Sequence, residues 1–289
     1  MDSNIAARGL SSPLASWRTY SRDKCAQSGI RQGKEMPRTT LISGGGTGIG
    51  RAIATAHAKD GDQVVIAGRR PDMLNETASA IAAAVPHAPP VDTIVADVAE
   101  PSDVEKVRAH IAERYGTVAV LVNNAGGNVD LRDASWPSGL SGIAESWTAN
   151  FRMNVLTAVL LTEALSDLMT APGGRVILLS SIAAYRGSGS GSYGSVKAAL
   201  HPYLYDTAAR LGSRGITVNA VAPGFTDETE FFADRLTAER KERLQRQAMT
   251  GRASMPSDIA AAVRWLASPE AGNVSAQIVQ VNGGAERGR

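Results

Sequence analysis

Cysteine is nearly absent: Cys25 is the only one in 289 residues. One thiol cannot close an internal disulfide, and no thiolate cluster for zinc can be assembled around it. The four histidines, His57, His87, His110 and His201, are scattered without HExxH spacing and are expected to be ordinary structural or surface residues, so no metal site is expected. No window approaches the roughly eighteen consecutive apolar residues of a membrane span. Charge of one sign is lacking too. Lys+Arg 30 against Asp+Glu 28 leaves a net charge of +2, too balanced to imply nucleic acid or an anionic membrane as partner. What remains is an ordinary globular composition, 43% hydrophobic and 20% charged, and a cytoplasmic protein is expected.

Residues 1–37 differ from the rest. Ser, Arg, Gly and Gln punctuate them without a lasting apolar period, and no continuous apolar stretch of a secretion signal occurs. A disordered extension is expected there, with the domain proper over 38–289. From Thr39 onward, short β-branched runs alternate with Ala-rich stretches. Thr40 to Ile42, Val64 to Ile66, Val91 to Val95, Val118 to Val122, Val176 to Leu179, Ile216 to Val221 and Ile278 to Val281 read as strands. They are almost continuously apolar, as strands covered on both faces are. Helices are expected near 49–59, 72–84, 101–115, 145–170, 192–213, 230–247 and 256–267, some opened by a first-turn proline such as Pro101 or Pro256. Strand–helix alternation with right-handed crossovers predicts an α/β fold: one doubly wound, seven-stranded parallel sheet of Rossmann type with helices on both faces.

Ligands on such sheets bind beyond the carboxyl ends of the strands, and polar or glycine-rich motifs follow the strands here. Ser43-Gly44-Gly45-Gly46-Thr47-Gly48-Ile49-Gly50 joins the first strand to the first helix. Unpaired amides at a helix N-terminus, with the helix dipole behind them, suit a diphosphate. The expected nucleotide contacts are Gly44, Gly46, Thr47, Gly48, Ile49 and Gly50, with Asp97 and Val98 toward the adenine, Asn123 and Asn124 mainly through backbone and sheet-bridging bonds, Ala125 next to them, and Pro223, Gly224 and Thr226 after a later strand. The second strand ends Ala67-Gly68-Arg69-Arg70 without a carboxylate. An acid there would accept from a ribose 2′-OH, whereas arginine meets a 2′-phosphate. NADP(H) is therefore preferred over NAD(H), which stays possible.

Tyr193 and Lys197 stand four apart at the start of a probable helix, with Ser181 upstream at a strand end. A free phenol has a pKa of about 10 and is a poor base near neutrality. A nearby ammonium would favour phenolate, Lys197 could also bond the nicotinamide ribose, and Ser181 could stabilise charge on a substrate carbonyl. Together with Asn123-Asn124-Ala125-Gly126, Asn154, Asn219 to Gly224 and Val281-Asn282-Gly283-Gly284, these motifs make residues 38–285 resemble the compact single-domain branch of the short-chain dehydrogenase/reductase family. The resemblance implies a catalytic set of Asn154, Ser181, Tyr193 and Lys197, in which Asn154 kinks its helix and holds a proton-relaying water. It also implies a homo-oligomer, dimer or tetramer, joined through long helices. Two positions depart from the pattern: Ser43 replaces a threonine, with its hydroxyl kept, and Ala276 stands where a glycine commonly precedes Gln277, expected to alter a packing contact.

The implied reaction is reversible hydride transfer between NADP(H) and a small carbonyl or alcohol substrate, Tyr193 serving as acid and base. Residues 225–250 are the expected lid, with Phe225, Phe231 and Phe232 among Arg235, Arg240, Lys241, Arg243 and Arg246. The pattern is most similar to 3-oxoacyl-carrier-protein reductases and polyketide ketoreductases. Dehydrogenases of sugars, steroids or other small alcohols share it, and a non-catalytic NADP(H) sensor is the alternative outside enzymes.

Overall fold

The computed structural model describes residues 37–132, 136–189 and 191–287; the extension expected over 1–37 lies, but for Pro37, outside them. Residues Pro37–Arg289 form one compact unit. Its seven strands are β1 (Thr39–Ser43), β2 (Gln63–Gly68), β3 (Asp92–Val95), β4 (Val120–Asn123), β5 (Arg175–Leu179), β6 (Thr217–Pro223) and β7 (Ile278–Val281). All neighbours pair in parallel, in the order β3-β2-β1-β4-β5-β6-β7. The chain winds outward from β1 to β3, then returns to set β4 on the other side of β1. That reversal opens a crevice at the carboxyl ends of β1 and β4.

Side chains alternate across the sheet with the strand period of two. Leu41, Val65 and Leu121 enter a core with Val107, Leu161 and Leu204. Their chain neighbours Ile42, Ile66 and Val122 enter the opposite core with Ile53 and Val263. The first core is closed by α3 (Pro101–Arg114), α6 (Thr157–Leu165) and α8 (Ser192–Gly212), the second by α1 (Gly48–Lys59), α2 (Pro71–Ala84) and α10 (Pro256–Leu266). Both faces of the sheet are thus covered, which is why the strands read as unbroken apolar runs.

Two helices come out differently from the sequence expectation. The stretch expected as one helix over 145–170 is α5 (Gly139–Phe151), a π-helical turn (Arg152–Leu156) and α6. A π turn frees carbonyls from the regular ladder, and local side chains take two nearby ones: Asn154 Nδ2 donates to the Asn150 carbonyl at 3.0 Å and Thr157 Oγ1 to that of Met153 at 3.0 Å. The helix expected over 230–247 is a 3₁₀ segment (Glu230–Arg235) followed by α9 (Ala238–Gln245), which Thr237 opens by accepting from the Arg240 N–H. Short helices α4 (Val129–Arg132) and α7 (Ala183–Arg186) also border the crevice.

Ala276 has φ +58, the left-handed region where a side chain is strained. The departure from glycine there is conformational, and the alanine also packs against the first core. His57, His110 and His201 bond Asp62, Asp92 and Ser180. Among the described residues no helix is long and apolar enough to cross a membrane, and no cluster of metal-ligating side chains occurs.

Candidate active site

The crevice at the strand ends is a cleft of about 900 Å³. Its floor is built by β1 and β4. Ser43 Oγ accepts from the N–H groups of both Asn124 and Ala125 at 3.1 Å, so the hydroxyl kept at this position ties the two strand ends together. The Asn124 amide donates back to the carbonyls of Ser43 and Gly44, each at 3.0 Å. Gly44 has φ +66, and a Cβ on Gly50 would lie 2.1 Å from the Gly44 carbonyl oxygen. Only glycine permits so close a turn. The Thr47 side chain makes no cap bond to α1 and the first turn carries no acid, so the start of α1 presents open amides to the cleft. The residues present therefore fit a dinucleotide diphosphate.

Of the expected nucleotide contacts, Gly44, Gly46, Thr47, Gly48, Ile49, Gly50, Arg69, Arg70, Asp97, Val98, Asn124, Ala125, Pro223, Gly224 and Thr226 line this cleft. Asn123 does not. Its amide points under the sheet and donates to Thr162 Oγ1 on α6 at 2.8 Å, because consecutive strand residues face opposite ways. Asp97 keeps a double part: it lines the cleft while one oxygen accepts from the Ala99 N–H at 3.1 Å. Arg70 Nη2 sits 2.7 Å from Glu230 Oε2 and 3.4 Å from Thr47 Oγ1, whereas Arg69 is exposed and unpaired among the described residues.

Ser181, Tyr193 and Lys197 line the same cleft, opposite the glycine turn. Lys197 is buried, its ammonium donating to the Leu179 carbonyl at the end of β5 at 2.8 Å and lying 6.0 Å from the centre of the Tyr193 ring. Burial pushes the Lys197 amine down to about 8. Burial also pushes the Tyr193 hydroxyl up to about 12, against the hydrogen bond from Ser181 that lowers it. Desolvation thus disfavours the charged form of both side chains, the phenolate and the ammonium. Ser181 Oγ accepts from the Ala183 N–H at 3.1 Å, which leaves its proton for the bond to the Tyr193 hydroxyl.

Asn154 is buried behind these groups and does not line the cleft. Its amide donates to the carbonyls of Gly127 at 2.7 Å and Asn150 at 3.0 Å and accepts from the Gly127 N–H at 3.1 Å. With both amide hydrogens donated and its oxygen accepting once, it grips the loop after β4. Gly126 fills the narrow space between: a Cβ there would lie 2.8 Å from Asn154 Oδ1 and 3.2 Å from Lys197 Nζ.

Sequence reasoning missed three participants. The Leu179 carbonyl carries no side-chain signal. Asp130 lines the cleft, accepting from Ser192 Oγ at 2.9 Å and Ser146 Oγ at 2.5 Å; its place four residues beyond Gly126 was the available hint. Glu230 reaches Arg70 from 160 positions away, with no local pattern to announce it. Above the cleft, Phe231 lies 5.4 Å from the Tyr193 ring, Phe232 5.0 Å from Phe231, and the Arg235 guanidinium donates to the Asp130 carbonyl at 2.8 Å.

The profile of a family described as "Enoyl-(Acyl carrier protein) reductase", of the short-chain dehydrogenase type, matches residues 44–286. The chain belongs to the short-chain dehydrogenase/reductase family. It is 33% identical to the "Short-chain reductase protein NovJ" of Streptomyces niveus over 84% of this chain and 92% of that one. It is 32% identical to a "Sorbitol dehydrogenase" of Cereibacter sphaeroides and 31% identical to the "3-oxoacyl-[acyl-carrier-protein] reductase FabG" of Vibrio cholerae, each over 86% of this chain and 96% of the relative. Among solved structures, a short-chain dehydrogenase/reductase double mutant of Serratia marcescens superposes with a TM-score of 0.75 at 28% identity, covering 87% of this chain and 99% of that one. Like its relatives, this member of the family is an oxidoreductase acting on CH–OH and C=O groups.

Proposed function

We propose that the chain is an NADP(H)-dependent reductase of a ketone, with Tyr193 as proton donor, Ser181 as carbonyl ligand and Lys197 and Asn154 behind them. The observation that carries this reading is the convergence of Ser181, Tyr193 and the carbonyl-anchored Lys197 on the cleft whose other wall is the uncapped start of α1. When held in this cleft, a nicotinamide would supply hydride to, or take it from, the substrate carbon. Ser181 donates a hydrogen bond to the carbonyl oxygen, and Tyr193, protonated by its own high affinity for the proton, delivers it to that oxygen as charge develops. Lys197, poised near neutrality, returns a proton toward Tyr193, while Asn154 holds the π turn and Gly127 in place beside it.

Arg69 and Arg70 support NADP(H) through their guanidinium forks, which match a phosphate. The segment over 225–250 is the proposed lid, and its Phe225, Phe231 and Phe232 cluster suits an acyl or ring-bearing ketone. Because FabG is a 3-oxoacyl-[acyl-carrier-protein] reductase, a 3-oxoacyl thioester is the first substrate class to test. Asp130 favours a second reading: a carboxylate lining the cleft can accept from the hydroxyls of a polyol, as for a sorbitol dehydrogenase. A homo-oligomer is supported by Leu140, Ile143, Trp147 and Phe151, spaced along one face of α5 and 84% to 44% exposed. A cytoplasmic location is proposed with it.

The test is NADPH oxidation with β-ketoacyl thioesters, cyclic ketones, quinones and keto-sugars, and NADP⁺ reduction with polyols. Tyr193→Phe is expected to bind NADPH as the parent does while losing at least about a hundredfold in turnover. A parental rate in that variant refutes the role of Tyr193. Tight NADPH binding without turnover of any substrate points instead to a sensor.

A further inference from the structure

Glu230 is the first residue of the 3₁₀ segment that roofs the cleft, and its carboxylate lies 2.7 Å from Arg70 Nη2. The same nitrogen is 3.4 Å from Thr47 Oγ1, in the glycine turn, so the ion pair sits where β2 ends beside the start of α1. This is the place where a dinucleotide of this orientation puts its adenosine ribose. The end of β2 brings no acid of its own, and among the described residues the only carboxylate paired with either arginine there comes from the roof. Both partners are about half exposed, a setting in which an ion pair is weak and readily exchanged. A 2′-phosphate carries more charge and three acceptor oxygens, so it outcompetes a carboxylate for one guanidinium.

Resting on the dinucleotide reading above, we infer that Glu230 is a cofactor-discriminating residue: its carboxylate holds on Arg70 the position that the 2′-phosphate of NADP(H) must take, and NAD(H) leaves it seated. Binding of NADP(H) therefore includes the expulsion of Glu230, and its observed affinity is lowered by the strength of the pair it breaks. Arg69, unpaired among the described residues, meets the phosphate first, and Arg70 joins once Glu230 has left. The next residue, Phe231, rests against the Tyr193 ring, so the exchange at Arg70 occurs one residue from the segment that covers the proton donor.

The experiment is titration of NADPH and of NADH, at low and at moderate salt, into the full chain and into Glu230→Gln, Glu230→Ala, Arg70→Gln and Arg70→Gln/Glu230→Gln, with thermal melting to verify folding. Glu230→Gln and Glu230→Ala are expected to tighten NADPH by about threefold to tenfold, leave NADH within about twofold, and show a smaller gain at higher salt. Relative to Arg70→Gln alone, the double variant is expected to show no gain. Equal shifts for both cofactors, a gain that survives without Arg70, or a loss of NADH binding would overturn the inference; the last would make Glu230 an acceptor for the ribose 2′-OH. NADPH binding unchanged in both Glu230 variants overturns the discrimination alone. Failure of the parent to bind either dinucleotide overturns the cofactor reading as well.

Discussion

Gly126 is the residue on which the geometry behind Lys197 converges, and Gly126→Ala is the sharpest perturbation of it. The added methyl would stand 2.8 Å from Asn154 Oδ1, closer than non-bonded atoms approach, and 3.2 Å from Lys197 Nζ. Asn154 cannot simply swing aside, because three hydrogen bonds of 2.7 to 3.1 Å hold it. Relief must break the bond from the Gly127 N–H or displace the lysine from the Leu179 carbonyl. Overpacking costs about 1–3 kcal/mol and a buried bond left unmade about 1–3 kcal/mol more. A loss of about 3 kcal/mol is expected, or roughly 6–12 °C in melting temperature for a chain of this size. Turnover is expected to fall about tenfold to a hundredfold as Lys197 shifts. Asn154→Ala removes the obstructing oxygen, so in that background the same glycine substitution should cost less than about 1 kcal/mol, a coupling of about 2 kcal/mol. The assay is denaturant unfolding of the four proteins of this cycle. Additivity within about 0.5 kcal/mol would refute the clash.

Two further outcomes concern stability. Ala276→Gly relieves a left-handed alanine, worth about 1–2 kcal/mol, at an unfolded-state entropy cost of about 0.4–1 kcal/mol; a net gain of about 0.5–1 kcal/mol is expected in thermal melting, and a loss would show that the strain is absent. Asp62 accepts from Arg38, Thr40 and His57, bonds that hold its carboxyl at about 2, below the ordinary 3.8, against the opposing effect of burial. A depressed acid stabilises the fold above its unfolded pKa and loses that contribution as pH falls through its folded one, so roughly 2 kcal/mol should vanish between pH about 4 and about 2. Asp62→Asn should remove it at neutral pH and flatten that acid limb in unfolding measurements. An unchanged limb would assign the acid sensitivity elsewhere.

Local signals carried most of the architecture. Strand period, turn glycines and first-turn prolines act over a few residues, and β1, β7 and the helices α1, α2, α3, α8 and α10 stand within a few residues of their expected places. The continuous helix expected over 145–170 failed because its π turn is bound up with a tertiary contact, Asn154 against Gly127, invisible to periodicity. Asn123 and Asn124 are indistinguishable as letters, yet one bonds a helix beneath the sheet and the other grips the glycine turn. The pairing of Tyr193 with Lys197 was legible, but its burial was not: spacing says who is near, whereas the surrounding core disfavours the charged form of each.

The single oxygen of Ser43, shared between two amides of the neighbouring strand, has a mechanical consequence. It welds the glycine turn after β1 to the loop after β4, so neither can drift without dragging the other. Adaptation to a new substrate must then be written overhead, in the aromatic canopy from Phe225 to Leu244, while the foundation stays unaltered.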